Sequence, residues 1–438
     1  MKKKSIFLES LGCPKNRVDS EIILSSFLNS GWELTDNESE ADLIILNTCS
    51  FILAAREESI SRFFELNEIR KEGSKICIAG CLPQLYPELT TMIPEADIVV
   101  GINDIPRLRE LVEKNMESEF KKEIQSPEFI VNSTFDRCLT LSPYTAYVKI
   151  ADGCDNWCTY CSIPNIRGRY RERDPKDIVT EVTNLVKKGV KEIVLISQDT
   201  TKYGANTNSS LAQLLELINN IPLKFKIRVM YFYLSRITED LIKKMNELEK
   251  VMPYFEIPIQ HVSSEVLAKM NRNYTVSDII KTIEFIKKTC GKKYILRTTL
   301  ISAFPAEKKK DHETLIDFIK ENHFDYAGAF RYSKEEHTAA FKMRSIPAKT
   351  AEIRYLEIEK AVGKMMEKRL DRFVGMKMEI LYEGIDTELK VPVGRGWHQA
   401  PEIDGITIIT NIEDQKPGAY LKCLIVAREG VDFIAEVI

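Results

Sequence analysis

Cys154, Cys158 and Cys161 stand in C-x3-C-x2-C spacing inside the string DGCDNWCTYCSIPNIRGR. Thiolates so spaced on one loop wrap three corners of a cubane, and iron-sulfur clusters are held by cysteine at such short separations. Three ligands for four irons leave one iron open to chelate an amino and a carboxylate group, much as a catalytic zinc keeps an open position. A structural zinc ion is the alternative, and it needs a fourth protein ligand. The five histidines, His261, His312, His323, His337 and His398, all stand well away from the loop, which leaves Cys138 as the near candidate. Unliganded core cysteine is the third reading.

A second set of three is built differently. Cys13, Cys49 and Cys81 are remote in sequence, yet each follows an apolar run, IFLESLGC, LIILNTC and ICIAGC, and so falls at the C-terminal end of an expected strand. In a doubly wound domain ligands collect in the crevice outside those ends, so the three are expected to converge there. Gly12 and Gly80 precede two of them and permit close approach of backbone to a bulky group. One such cysteine alone reads as core filler; three at equivalent places read as ligands. Cys77, Cys138, Cys290 and Cys423 are taken as structural.

Positioning these residues requires three segments. Residues 1–135 alternate short apolar runs (5–9, 42–46, 75–79 and 96–100) with helical patterns over 20–32, 56–73 and 106–115, which predicts a small doubly wound α/β domain. The mixed polar stretch 121–143 reads as a linker, placed in its final part at 136–143. From 144 to 370 a second series has six candidate strands, TAYVKIA, KEIVLIS, KIRVMYF, YFEIPIQ, YILRTTLI and YAGAFRYS, separated by helical patterns. Runs this apolar need both sheet faces covered, so a partial (β/α)6 barrel is expected, with its active face at the strand C-terminal ends. A long helix, 348–370, leads to residues 371–438, where the short strands MKMEILYE, ITIITN, YLKCLIVAR and DFIAEVI predict a small all-β barrel.

Composition narrows the class. The 438 residues are 44% hydrophobic, enough for two or three domains, and 62 Lys+Arg against 65 Asp+Glu leave a net charge of −3, with no global positive field. Residues 371–438 hold seven basic and twelve acidic side chains, an excess that would repel RNA and attract a basic protein. The basic string RGRYRER, 167–173, is read as neutralising an anionic active site or forming surface ion pairs. No apolar segment reaches membrane-spanning length and the N-terminus lacks a signal-peptide core, so a cytosolic location is expected, with ten cysteines available as metal ligands, redox groups or core filler.

The cysteine loop resembles that of the radical S-adenosylmethionine (SAM) enzymes, whose partial (β/α)6 barrel begins with such a C-x3-C-x2-C loop. The resemblance implies a 4Fe-4S cluster on Cys154, Cys158 and Cys161 whose open iron binds SAM, cleaved by one electron to a 5′-deoxyadenosyl radical, with Tyr160 against the adenine. It also places Gln198 and Asp199 near the cofactor, at a strand C-terminal end; a plain polar loop is the other reading of these two. With a second open-cornered cluster on Cys13, Cys49 and Cys81 for sulfur delivery, the whole chain resembles the methylthiotransferases: N-terminal cluster domain, radical SAM barrel and C-terminal TRAM barrel.

Within that family LGCPKNRVDSE resembles the RimO-type branch, which modifies ribosomal protein S-twelve at an aspartate β-carbon, whereas the tRNA-modifying branch usually reads GCQMN there. NTCSFILAAREES, AGCLPQLY, ISQDTTKYG, FRYSKEEHTAA and APEIDG resemble the same branch. The resemblance implies two 4Fe-4S clusters, two SAM molecules, S-twelve or the small ribosomal subunit as partner and a reductant protein, with no tRNA, no membrane and a monomeric chain. The rivals are a tRNA adenosine methylthiotransferase and a zinc-stabilised ribosome-binding factor. Departures from the family pattern are Ala303 and Ala306 where a GFPGE-like string has glycines, His337 where EEGT is usual, and Leu234 in place of a proline.

Overall fold

The computed structural model describes residues 3–115, 124–207 and 209–438; the first three residues of the expected linker stretch, 121–123, lie outside the described residues. Strands β1 (Ser5–Ser10), β2 (Glu33–Leu34), β3 (Leu43–Thr48), β4 (Lys75–Gly80) and β5 (Ile98–Val100) form a parallel sheet in the order β2-β1-β3-β4-β5. Every side chain of β3, LIILNT, is buried, as a central strand covered on both faces requires. Ile6, Leu43 and Ile45 pack with Ile23 and Phe27 on one face, while Ile44, Leu46, Ile76 and Ile78 pack with Phe63 and Leu66 on the other. The domain is thus doubly wound as expected, with the short edge strand β2 added.

Its first helix begins earlier than the apolar periodicity suggests, at Pro14–Leu28 rather than at residue 20. Pro14 supplies a pre-set φ at the first helical position and Cys13 is the N-cap. The early turns were masked because Asn16, Asp19, Ser20 and Glu21 are polar yet fully buried.

The second segment contains all six expected strands: β6 (Thr145–Lys149), then, beyond the short β7 (Ala151–Asp152) and β8 (Arg171–Glu172), β9 (Glu192–Ile196), β10 (Lys226–Val229), β11 (Tyr254–Glu256), β12 (Ile295–Ser302) and β13 (Tyr326–Arg331). Two parallel three-stranded sheets, β6-β9-β10 and β11-β12-β13, meet where Ile227 exchanges hydrogen bonds with Lys250 and Met252, giving an open barrel in sequence order. The antiparallel pair β7-β8 ties together the two ends of the cysteine loop. Outer helices, among them Pro175–Lys187, Leu211–Asn219 and Val276–Cys290, bury their apolar faces against alternate strand residues such as Ala146, Val148, Ile193 and Leu195.

The helix Ala348–Leu370 leads into a closed barrel of β14 (Lys377–Ile385), β15 (Pro392–Gly396), β16 (Thr407–Thr410), β17 (Tyr420–Glu429) and β18 (Asp432–Val437), ordered β14-β15-β16-β18-β17. Four of these match expected strands; β15, PVGRG, has too little side chain to show a strand pattern. From it the segment 397–404 plugs the interior of the larger barrel. Asp404 accepts from Tyr254 Oη at 2.5 Å and pairs with Arg297, Trp397 O accepts from Arg228 Nη1 at 3.0 Å, and Arg395 Nη1 lies 2.8 Å from Glu192. Within the string APEIDG, Ala400 and Asp404 are therefore buried against the larger barrel, while Glu402 and Ile403 stay exposed.

Candidate cluster-binding site

The N-terminal cysteines follow the C-terminal ends of β1, β3 and β4. Since Ser10 pairs with Asn47 and Thr48 with Gly80, the parallel register brings Cys13, Cys49 and Cys81 to one edge of the sheet. Asn16 locks this arrangement: its Nδ2 donates to Leu11 O at 3.0 Å and Thr48 O at 2.8 Å, and its Oδ1 lies 3.3 Å from Cys81 Sγ. Gly12 (φ +90°) faces Cys49 so closely that an added Cβ would lie 2.8 Å from the Cys49 sulfur, leaving a cradle free of side chain. Burial pushes the Cys49 thiol up to about 12 and raises Cys81, against which Arg167 favours the thiolate. A cationic centre would reverse that penalty by deprotonating the sulfur outright.

The barrel triplet occupies the loop between β7 and β8. Gly153 is left-handed (φ +80°), and an added Cβ would stand 2.1 Å from Arg169 O, so only glycine lets the returning strand pass. Cys154 N donates to Gly168 O at 3.1 Å and Cys161 N to Cys158 O at 3.0 Å, while Asn271 Nδ2 holds the carbonyls of Asn156 and Trp157 at 3.0 and 3.1 Å. Burial lifts Cys154 to about 11 and Cys161 further. Tyr160 is half-buried, its hydroxyl accepting from Arg272 Nη2 at 2.7 Å. Asp199 lies at the end of β9, fully buried, and takes Asn156 Nδ2 at 2.8 Å and Arg236 Nη1 at 2.5 Å. Gln198 Nε2 donates to Asp152 at 2.7 Å, while its Oε1 is buried with no partner. An orphaned acceptor at the active face suits a bound ligand carrying a donor.

A buried charge network joins the two triplets. Arg167 donates from Nη2 to Asn16 Oδ1 at 2.5 Å and to Cys81 Sγ at 3.4 Å, and from Nη1 to Asp19 at 2.8 Å and Asp152 at 3.2 Å. Lys149 Nζ completes it with Asp19 at 2.5 Å and Asp152 at 3.3 Å. Burial works against ionisation of Asp152, but Lys149 and Arg167 outweigh it and hold the carboxyl well below the usual range. Both readings of the RGRYRER string find residues that fit them: Arg167 reaches Cys81 and Arg169 makes an exposed ion pair with Asp155, while Arg173 adds buried ion pairs with Asp177 and Glu181.

Lys15, Asn16, Asp19, Lys149 and Asp152 escaped the sequence reading. Their available signal was a polar run directly after Cys13 and single charges inside or just past the apolar run TAYVKIA. Lys15 is 7% exposed, its Nζ stands 3.0 Å from the ring centroid of Tyr231, and burial lowers it to about 8. Tyr231 just past β10 (φ +66°), Gln260 (φ +63°) and Ala303 just past β12 (φ +59°) are left-handed non-glycine residues grouped at the active face, where strain is characteristically stored. Ala303 keeps the turn that a glycine would make freely, its N–H donating to Glu307 Oε2 at 2.8 Å; Ala306 has no positive φ. His337 stacks edge-on against Tyr86 and Leu234 is buried in a 3-10 turn, so neither departure opens a gap.

The donor set fits clusters open at one iron. Among the described residues no three His, Cys, Asp or Glu side chains gather closely enough for a single metal ion. Cys138, the near candidate for a fourth zinc ligand, packs beside the N-terminal core with its N–H on Glu21 O.

Residues 5–101 match the family described as Uncharacterized protein family UPF0004, residues 148–319 the Radical SAM superfamily and residues 374–438 the TRAM domain. In fold the chain is similar to TsrM of Kitasatospora setae, a radical SAM methyltransferase solved with cobalamin and a 4Fe-4S cluster, with TM-score 0.55 and 12% identity over 77% of each chain. It is also similar to the cobalamin-dependent SAM radical enzyme OxsB, with TM-score 0.51 and 14% identity over 84% of this chain and 56% of that one. The superfamily match and the fold define a radical SAM enzyme extended at both ends. Proteins named ribosomal protein uS12 methylthiotransferase RimO are 40% identical in Pelotomaculum thermopropionicum, over 99% of each chain, and 36% identical in Syntrophus aciditrophicus, over 100% of this chain and 99% of that one. The chain belongs to this RimO family of radical SAM methylthiotransferases.

Proposed function

We propose that the protein transfers a methylthio group to the β-carbon of an aspartate in ribosomal protein S-twelve. Cys154, Cys158 and Cys161 hold the 4Fe-4S cluster that binds SAM, and Cys13, Cys49 and Cys81 hold a second 4Fe-4S cluster. The observation that carries the reading is Arg167, which touches Cys81 of one triplet and, through Asp152, the turn that begins the other. Two sites so joined serve one substrate. When bound, the clusters and SAM supply one-electron chemistry able to take hydrogen from an unactivated C–H bond, which no side-chain base achieves at useful rates. The chain's own residues set the geometry: Asn16 and Gly12 shape the first site, Asn271 and Asp199 fix the loop of the second, and Tyr160 and Gln198 present contacts for SAM.

The substrate assignment rests on the family rather than on charge. Glu402 and Asp404 spend part of the acidic excess of the C-terminal barrel on ion pairs with Arg17 and Arg297, which lie outside it. We include in the reading a protein electron donor, a cytoplasmic monomer and no tRNA substrate; no helix among the described residues is long and apolar enough to cross a membrane.

Anaerobic reconstitution tests it. The wild type is expected brown, with about four irons per cysteine triplet. Cys154→Ala abolishes reductive SAM cleavage, whereas Cys49→Ala loses half the iron and keeps SAM cleavage but leaves the S-twelve aspartate peptide unmodified by mass spectrometry. A colourless zinc protein, or methylthiolated tRNA beside unchanged S-twelve, overturns the reading.

A further inference from the structure

Lys15 is a buried cation on which Cys13, Glu256 and Asp152 act electrostatically without a hydrogen bond or salt bridge to any of them. Its side chain is more than nine-tenths buried, yet its ammonium makes no hydrogen bond and no ion pair with any described residue. Elsewhere in this junction buried charges are matched: Lys149 and Arg167 share Asp19 and Asp152. The nearby carboxylate of Glu256 is turned instead to the backbone, accepting Tyr231 N–H at 3.0 Å. A buried charge with no hydrogen-bonded counter-ion is costly, so the unbonded ammonium offers a place for an anionic ligand.

Its position says which anion. Lys15 lies two residues past Cys13, in the first turn of the helix Pro14–Leu28, whose dipole also favours negative charge. Its ammonium rests on Tyr231, and Tyr231 O accepts from Thr200 N at 3.1 Å, beside Asp199, which holds Asn156 of the barrel cysteine loop. The cation therefore stands two residues from Cys13 of one triplet and, through Tyr231, against the strand ends beside the loop of the other. The left-handed backbone of Tyr231 fixes the ring under the ammonium, so the cation is held rather than free to swing.

We propose that Lys15 is the substrate carboxylate's anchor: its ammonium, seated on Tyr231, binds the side-chain carboxylate of the target aspartate and so sets the β-carbon between the two cysteine triplets. The proposal rests on the reading above that the substrate is an aspartate of S-twelve, and it assigns the selection of aspartate over asparagine to this one residue. A charge-assisted hydrogen bond in a desolvated site is worth roughly 10- to 100-fold in affinity.

The test measures binding of two S-twelve peptides, one with the target aspartate and one with asparagine there, to the reconstituted protein. Wild type is expected to prefer the aspartate peptide by about 10- to 100-fold. Lys15→Met, of similar length and no charge, brings the ratio close to one, and Lys15→Arg keeps a preference for aspartate; iron content and thermal unfolding check that each variant is loaded and folded. The asparagine peptide needs no variant, so a misfolded Lys15→Met leaves the proposal exposed to the wild-type ratio. Equal binding of both peptides by wild type, or an undiminished preference in folded Lys15→Met, overturns the anchor. Failure of wild type to modify S-twelve at all, with tRNA modified instead, overturns the substrate reading itself.

Discussion

His398 shows how one buried titratable side chain ties stability to pH. Its ring is fully buried between Phe373, 4.8 Å away, and Phe433, 4.7 Å away, with neither nitrogen hydrogen-bonded. Burial, aided by Arg228 and Arg372, lowers it to about 3. The unfolded chain, with an ordinary histidine near pH 6.5, therefore binds more protons between about pH 3 and 6.5, and stability falls as the pH drops through that window. The loss from this residue approaches about 1.4 kcal/mol for each pH unit below 6.5. Chemical denaturation at pH 7.5 and 5.5 is expected to show a shallower pH dependence for His398→Phe than for wild type; identical slopes would refute the assignment. The same scale explains why residue type alone left two readings open at Arg167: a cation in a basic string belongs to a charged site or to the surface only once its partners Asp19 and Asp152 are placed around it.

At the level of elements, the informative cases are those whose side chains are spent on something other than an apolar face. Strand β15 is short of side chain because Gly394 backs onto its neighbour: an added Cβ would stand 2.3 Å from Leu381 O. Gly394→Ala is expected to destabilise the C-terminal barrel by at least about 2 kcal/mol, seen as a lowered unfolding midpoint. A change within experimental error would mean that the strand can shift to make room. The helix Pro14–Leu28 is the mirror case, its first turns polar because they face the charged junction with the larger barrel. The expected strands of that barrel were legible, since alternation and apolar runs report burial directly, whereas β15 and the first turns of this helix obey tertiary contacts that no periodicity records.

For the molecule as a whole, the C-terminal barrel is part of the enzyme's interior. Asp404 is fully buried and gathers Tyr254, Arg297 and the N–H of Ala400, while Glu402 reaches both Tyr147, at 3.1 Å, and Arg17 of the N-terminal domain, at 2.5 Å. Asp404→Ala would leave Arg297 buried and uncompensated, a cost of about 3–5 kcal/mol. It is expected to lower the thermal midpoint and speed proteolysis between the two barrels; an unchanged cleavage pattern would show that the plug is not what joins them. The 397–404 plug enters the larger barrel from the C-terminal side of the chain and Lys15 from the N-terminal side, so the three segments share one interior.

The order of strands, the two cysteine triplets and the family were determined by the sequence itself, because hydrophobic periodicity and thiol spacing are local and each carries its meaning within a few residues. Tertiary structure alone decided which charges meet. Arg167 with Cys81, Lys149 with Asp19, Asp404 with Arg297 and Lys15 with Tyr231 are separated by tens to hundreds of positions, and a buried charge is defined by its surroundings rather than by its own residue type.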